Sequence, residues 1–228
     1  MMFDVDIQLL EQAAAVLHGR KALTWLIGGS GSGKTTLSRA VAARTGIPVY
    51  DMDEAFFGRF RFDPARHPAT TAWFAADNPL GWMLSLPWPA FDALYRASNA
   101  EMLDLLADDL AGRPDEPLLI DGGITHPSGL VQAIPAARIR CLERAEAERE
   151  REWETAANRA EMKAEVLALP DGAAMWRRFL EYDRRMTATI GRESREWSVR
   201  VMAWNGAVDQ DTVVQRLLEQ VDFLRNGA

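Results

Sequence analysis

The stretch Gly28-Gly29-Ser30-Gly31-Ser32-Gly33-Lys34-Thr35 constrains this chain more than any other. It follows a short apolar run, Ala22-Leu23-Thr24-Trp25-Leu26-Ile27, of the kind that forms a buried strand. It opens a segment, Thr35 to Arg44, in which Leu37, Ala40 and Val41 share one helical face. Strand, glycine loop and helix therefore stand in the context that gives the G-x-x-x-x-G-K-[ST] pattern its meaning. The glycines let backbone N–H groups turn inward, where side chains would block a polyphosphate. A helix starting at Lys34 adds the positive end of its dipole. In such a loop the Lys34 ammonium spans the β- and γ-phosphates and the Thr35 hydroxyl reaches Mg²⁺. The expected nucleotide-binding residues are thus Gly28, Gly29, Ser30, Gly31, Ser32, Gly33, Lys34, Thr35 and Thr36.

The rest of the chain alternates short apolar runs with helical periodicity. A first helix is expected over residues 3–18, and further strands at 48–50, 118–123, 137–142 and 198–204. Between the last four come a helix over 91–111, a long charged helix from Glu143 to about Leu169, and another over 173–190. Asn205-Gly206 reads as a turn and Asp209 as the N-cap of a final helix. Residues 54–95 lose periodicity and are rich in aromatics and proline, among them Phe56, Phe57, Trp73, Trp88 and Phe91. So long an irregular stretch inside a compact domain is more often functional than ornamental. Alternating strands and helices argue an α/β domain whose parallel sheet is covered on both faces.

Three groups of residues point to chemistry. Asp121 ends the apolar strand Leu118-Leu119-Ile120, where a second carboxylate toward a metal is expected; capping the next turn is the plainer role. Asp51 and Asp53 end the second strand, at the crevice side of a doubly wound sheet, and either can accept a proton from an attacking hydroxyl. On a strand the two would point to the same side. Arg144, Arg149, Arg151 and Arg159 belong to the charged segment, and one of them can neutralise phosphate charge. Against that, Glu146 with Arg149 and Glu148 with Arg151 read as i,i+3 pairs on a solvated helix. Phe57 or Trp88 is a candidate for stacking on a base or lining an apolar acceptor site, the other rings reading mostly as core, and His67 and His126 read as surface residues.

The 228 residues carry a net charge of −7, with 48% apolar and 26% charged residues. Disorder is excluded by that balance, and the acidic surplus disfavours nucleic acid or an anionic membrane as partner. Cys141 stands alone, so neither an intrachain disulfide nor a thiolate metal cage is expected. The acidic N-terminus lacks a signal peptide's basic start, and no run approaches the ~18 apolar residues of a membrane span. A soluble, cytoplasmic protein is the expectation.

With these residues in hand, the chain resembles the P-loop kinases of small molecules, the adenylate, shikimate and uridine kinase-like proteins. The likeness to uridine kinase-like proteins rests on Asp51-Met52-Asp53-Glu54-Ala55-Phe56-Phe57, Trp88-Pro89-Ala90-Phe91-Asp92 and Leu119-Ile120-Asp121-Gly122. The Asp51-x-Asp53 spacing is also similar to that of shikimate kinase-like proteins. The resemblance implies five parallel strands in the order 2-3-1-4-5 within one domain, residues 1–228. Residues 54–95 would be an acceptor-binding insertion and 143–172 a helical lid. It implies ATP and Mg²⁺ as cofactors, and phosphoryl transfer to a small metabolite, with a nucleoside- or nucleotide-like acceptor favoured. Lys34, Asp53 and Arg149 would be catalytic, Thr35 and Asp121 would hold the metal, and Asn205-Gly206 would lie near adenine. Departures are Phe57 in place of a tyrosine, Asp121 in place of glutamate, and Glu150, Glu152 and Glu154 where the lid gathers arginines. The alternatives are a nucleotide-hydrolysing switch, disfavoured by the lack of an Asn-Lys-x-Asp motif, and an ATP-binding interaction module.

Overall fold

The computed structural model describes residues 3–204 and 210–226. Its first strand, β1 (Leu23–Ile27), is buried at every position. The period of two divides its side chains between the faces: Leu23, Trp25 and Ile27 join one apolar cluster and Leu26 the other. A helix, α1 (Ile7–Leu17), precedes it, capped by the Asp6 carboxylate on the N–H groups of Gln8 and Leu9. The glycine loop leads from β1 into α2 (Lys34–Thr45), which stops at Gly46. Then come β2 (Val49–Asp51), the single turn α3 (Met52–Glu54) and a π-helical turn at Ala55–Arg59. Two short helices follow, α4 (Pro68–Phe74) and α5 (Pro79–Ser85), and then the long α6 (Trp88–Leu110). After β3 (Leu118–Asp121), α7 (Pro127–Ala133) and β4 (Ile139–Arg144) come α8 (Glu146–Thr155), a 3₁₀ turn at Ala157–Arg159 and α9 (Ala160–Leu167). The chain closes with α10 (Gly172–Glu196), β5 (Arg200–Trp204) and α11 (Gln210–Asn226).

All five strands pair in parallel in the order β2-β3-β1-β4-β5, as the resemblance implies. The cluster over one face draws on α1, α6 and α7, and that over the other on α2 and α11, so the sheet is wound on both sides. A third cluster, built by α4, α5 and the first half of α6, includes Val166 of α9, Leu169 and Tyr182 of α10. It stacks Trp88 on Phe91 and sets Tyr182 against both. Among the described residues no helix is long and apolar enough to cross a membrane.

Several local expectations are corrected. The aperiodic segment is mostly helical, in pieces too short to show a period. Pro68, Pro79 and Pro89 start helices rather than interrupt them, because an N-terminal turn needs no N–H from its first residues. The long charged helix breaks at Ala156, whose backbone is extended. Its arginines are paired otherwise than expected, Arg144 with Glu148 and Glu152, and Arg149 with Asp183. His67 and His126 are buried, not on the surface. The expected turn Asn205-Gly206 and cap Asp209 lie outside the described residues.

Candidate active site

The loop owes its path to glycine. At Gly28 φ is +150° and a Cβ would come within 2.4 Å of the Leu142 carbonyl oxygen of β4. At Gly33 φ is +89°, a left-handed entry to α2 that leaves the helix without a side-chain cap. Lys34 is folded back, its Nζ donating to the carbonyls of Gly28 at 2.8 Å and Gly29 at 3.1 Å. Thr35 and Thr36 stand exposed in the first turn of α2.

Opposite the loop, register sets the carboxylates. Asp121 lies level with Leu26 on one side and Asp51 on the other. The Gly122 N–H donates to Leu26 O at 3.0 Å, and the buried Trp25 Nε1 donates to Gly122 O at 2.9 Å. Gly122 and Gly123 then turn away with φ of +76° and +77°. A Cβ on Gly122 would sit 3.7 Å from Lys34 Cε and 3.8 Å from Asp53 Oδ2, so that turn is flanked by both side chains.

Asp51 and Asp53 have separate tasks. The chain leaves the strand at Met52, so the two carboxylates do not share a strand face, a correction to the strand reading. Asp51 is the N-cap of α3, accepting from the N–H groups of Asp53 and Glu54 at 3.0 Å each. Asp53 reaches the cavity described below and Asp51 does not. Crowding by the walls pushes Asp53 above the usual carboxylate range; Lys34 opposes this, and Asp51 and Asp121 add to it. Burial likewise lowers the Lys34 ammonium, against the pull of Asp121 and Asp53.

Asp121 fits an oxygen-seeking cation. Its Oδ2 accepts from Ser38 Oγ at 3.1 Å, and Thr35 stands beside the same carboxylate. Its Oδ1 is buried with no hydrogen-bond partner, a free hard ligand of the type Mg²⁺ takes. Burial raises this carboxyl too, before Thr35, Lys34 and Ser38 draw it back.

The charged segment lies against the loop. Arg144 donates to Gly31 O at 3.2 Å while holding Glu152 at 2.7 Å. The buried Arg149 donates to Thr187 Oγ1 at 2.9 Å and pairs with Asp183 at 3.5 Å, and its Nε is buried without a partner. Trp153 Nε1 donates to the same Asp183 carboxylate at 3.2 Å. Arg159 stacks over the Trp153 ring at 4.4 Å and, unlike Arg149, lines the cavity.

That cavity, about 340 Å³, runs from the loop into the aromatic segment. Its polar end has Gly28, Gly29, Ser30 and Lys34 with Asp53, Arg159 and Asp183. The other end is walled by Phe56, Phe57, Trp73, Met83, Tyr95 and Met102. Phe57 thus lines this cavity, whereas Trp88 belongs to the third apolar cluster instead. Sequence reasoning missed Asp183 and Thr187. The available signal was on α10, where Phe179, Asp183, Met186, Thr187 and Ile190 recur at helical spacing and all line the cavity.

No family model matches the chain, and no curated protein matches it. Among solved structures, it is similar to the shikimate kinase from Acinetobacter baumannii in complex with shikimate. The TM-score is 0.49 and the identity 16%, over 88% of this chain and 92% of that one. It is also similar to an unliganded sugar kinase from Janibacter sp., with TM-score 0.37 and 17% identity over 88% and 94%. The glycine loop between β1 and α2 and the strand order around it make this a parallel α/β fold of the P-loop kind.

Proposed function

We propose that the chain is a kinase that transfers the γ-phosphoryl group of ATP, with Mg²⁺, to a hydroxyl of a small molecule. One observation carries this reading: Asp53, a carboxylate of raised proton affinity, faces Lys34 across Gly122 where a largely apolar, partly open cavity meets the glycine loop. A nucleotide switch needs a water-positioning group but no such cavity, and an interaction module needs no base at its mouth.

Gly28 to Thr36 would hold the phosphates through backbone N–H groups and the α2 terminus. Lys34 would leave the Gly28 and Gly29 carbonyls for the β- and γ-phosphates. Thr35 and Asp121 would hold Mg²⁺, which supplies charge neutralisation between those phosphates. Asp53 would accept the hydroxyl proton as the acceptor oxygen attacks, a task suited to a base whose affinity lies above the ordinary carboxylate's. Arg159 adds positive charge at the polar end. Arg149, whose Nε has no partner, braces Asp183 and stands beside the loop with Arg144. The insertion over 54–95 would form the acceptor wall and 143–172 the cover, within one domain of residues 1–228.

The test is Mg²⁺-dependent ADP release from ATP across a panel of acceptors, with Lys34→Ala and Asp53→Asn beside the wild type. Stimulation by an acceptor, reduced about 10²-fold or more in both variants, is the expected result. ADP release that no acceptor stimulates and that survives Asp53→Asn would replace the kinase by the hydrolysing switch.

A further inference from the structure

We infer that the acceptor is an uncharged, ring-bearing alcohol rather than a hydroxy acid, a sugar or a nucleotide. The inference rests on the kinase reading for the word acceptor, and on the cavity walls for the rest. Among the described lining residues the only cations are Lys34 and Arg159, and both stand with the glycine loop, where phosphates would use them. The far end offers no cation, so a carboxylate or phosphate carried there would lose its water without a counter-charge.

Most polar atoms at that end are already engaged with one another, the exception being Trp73 Nε1, which is buried without a partner. Ser98 Oγ bonds Thr70 Oγ1 at 3.1 Å, and Tyr95 Oη donates to Met83 Sδ at 3.1 Å. Asn99 Oδ1 accepts from the Thr125 N–H, the Thr125 hydroxyl and the His126 N–H, at 2.8, 3.1 and 3.0 Å. A polyol or a base edge would find few partners there and would leave its own groups unpaired. The surface that does face the space is ring and thioether. Phe56 meets Phe57 edge to face at 5.2 Å and Trp73 at 5.7 Å, and Trp73 meets Tyr95 at 5.9 Å. Rings and sulfurs arranged so favour an aromatic or alicyclic body. One hydroxyl suffices, placed at Asp53, where the apolar end meets the loop. The cavity lies at the small end of the roughly 300–1,000 Å³ common for ligand sites, so with phosphate present the body is one or two rings.

The experiment compares one ring and one hydroxyl in three charge states: phenylethanol, phenyllactate and phenylalaninol, with glucose and uridine alongside. Binding to the full chain is read by tryptophan fluorescence with Mg²⁺ and β,γ-imido-ATP present, and phosphorylation is followed separately with ATP. The expected result is phenylethanol binding at least about tenfold tighter than any other member, the scale a lost methylene or an unpaired polar group sets. Phe57→Ala should weaken that binding several-fold. Phe57 is 62% exposed, so its loss leaves the fold intact, and an unchanged thermal midpoint verifies this. Equal or tighter binding of phenyllactate, phenylalaninol, glucose or uridine overturns the inference, as does failure of phenylethanol to bind. Phosphorylation of a charged or polyhydroxy member alone keeps the kinase and discards the neutral acceptor. Tight, unphosphorylated phenylethanol does the reverse.

Discussion

Asp121 and Asp183 are pushed upward chiefly by burial, and Lys34 in their midst is pushed downward by the same cause. Asp53, although the residue is solvent-exposed, is raised too, by the protein packed around its carboxylate and by Asp51 and Asp121. Such a cluster suits a site that awaits a polyphosphate and a cation, and it costs the empty fold stability. For Asp53 the sign follows from linkage: a carboxyl whose folded affinity is raised penalises the fold once it must ionise. The penalty is absent well below the ordinary value of 3.8 and complete above the raised one. Asp53→Asn should therefore raise the melting temperature at neutral pH, and the gap to wild type should close in acid. Water reaching the cavity screens the effect, which limits it to about 2–4 °C. Turnover should fall in the same variant, and in the wild type the acid limb of kcat/KM should lie above 3.8. Melting curves at acid and neutral pH decide it: an Asn variant less stable at neutral pH than in acid, relative to wild type, would contradict the raised affinity. The sequence places Asp53 in the site but does not disclose this environment. Nor does it disclose why His67 and His126 are buried. Their partners, Asp104 at 3.0 Å and Asp92 at 3.1 Å, lie 37 and 34 residues away. Burial raises Asp92, yet the hydrogen bonds from His126 and Arg96 outweigh it and hold it at about 2.

Short helices depend on long-range partners, and α4 is the clearest instance. No side chain caps it from His67. Instead Glu101, buried on α6, accepts from the N–H groups of Ala69 at 2.8 Å and Thr70 at 2.7 Å. Glu101→Ala leaves both donors buried and unpaired, a cost of roughly 2–4 kcal/mol. The melting temperature should then drop by about 5–15 °C, with Glu101→Gln, which keeps an acceptor, in between. Because α4 carries Trp73 on the cavity wall, acceptor KM should rise while kcat holds. A Glu101→Ala protein that melts with the wild type would show that the cap is dispensable. Such elements explain which parts of the fold were legible. β1, the loop and α2 are local patterns: a buried run, glycines and one apolar stripe. α7 is seven residues long, too short for a helical period to be read, and α4 and α5 disguise their starts as proline-rich loop. Asp183 and Thr187 read as ordinary helix surface until α8 packs against them.

At the scale of the whole molecule, the sheet and its two faces are held by apolar clusters, whereas α8, which lies against the loop, is held by ion pairs and by one aromatic anchor, Trp153 on Trp176 and Phe179. The buried residues of α8 are Arg149 and Trp153 alone. Its ties are Glu148 and Glu152 to Arg144 of β4, which itself donates to Gly31 O, Arg149 to Asp183 and Thr187, and Trp153 to Asp183, Trp176 and Phe179. By contrast α6 is buried along most of its length, chiefly through apolar side chains, between the sheet and the third cluster. The part-exposed Arg144 pairs weaken as salt shortens the screening length, from about 10 Å at 0.1 M toward about 3 Å at 1 M; the buried Arg149–Asp183 pair weakens much less, and apolar burial does not weaken. α8 is thus expected to open locally while the sheet stays shut. Hydrogen exchange of the free protein should show α8 amides least protected and β1 and α6 most. Raising salt should speed exchange in α8 alone, and Mg²⁺ with an ATP analogue should slow it there first, since bound phosphates offer Arg149 and Arg159 a stronger partner. If α8 exchanged as slowly as β1 and ignored salt, it would be a fixed wall, and access to the cavity would have to come through the α4–α5 side instead.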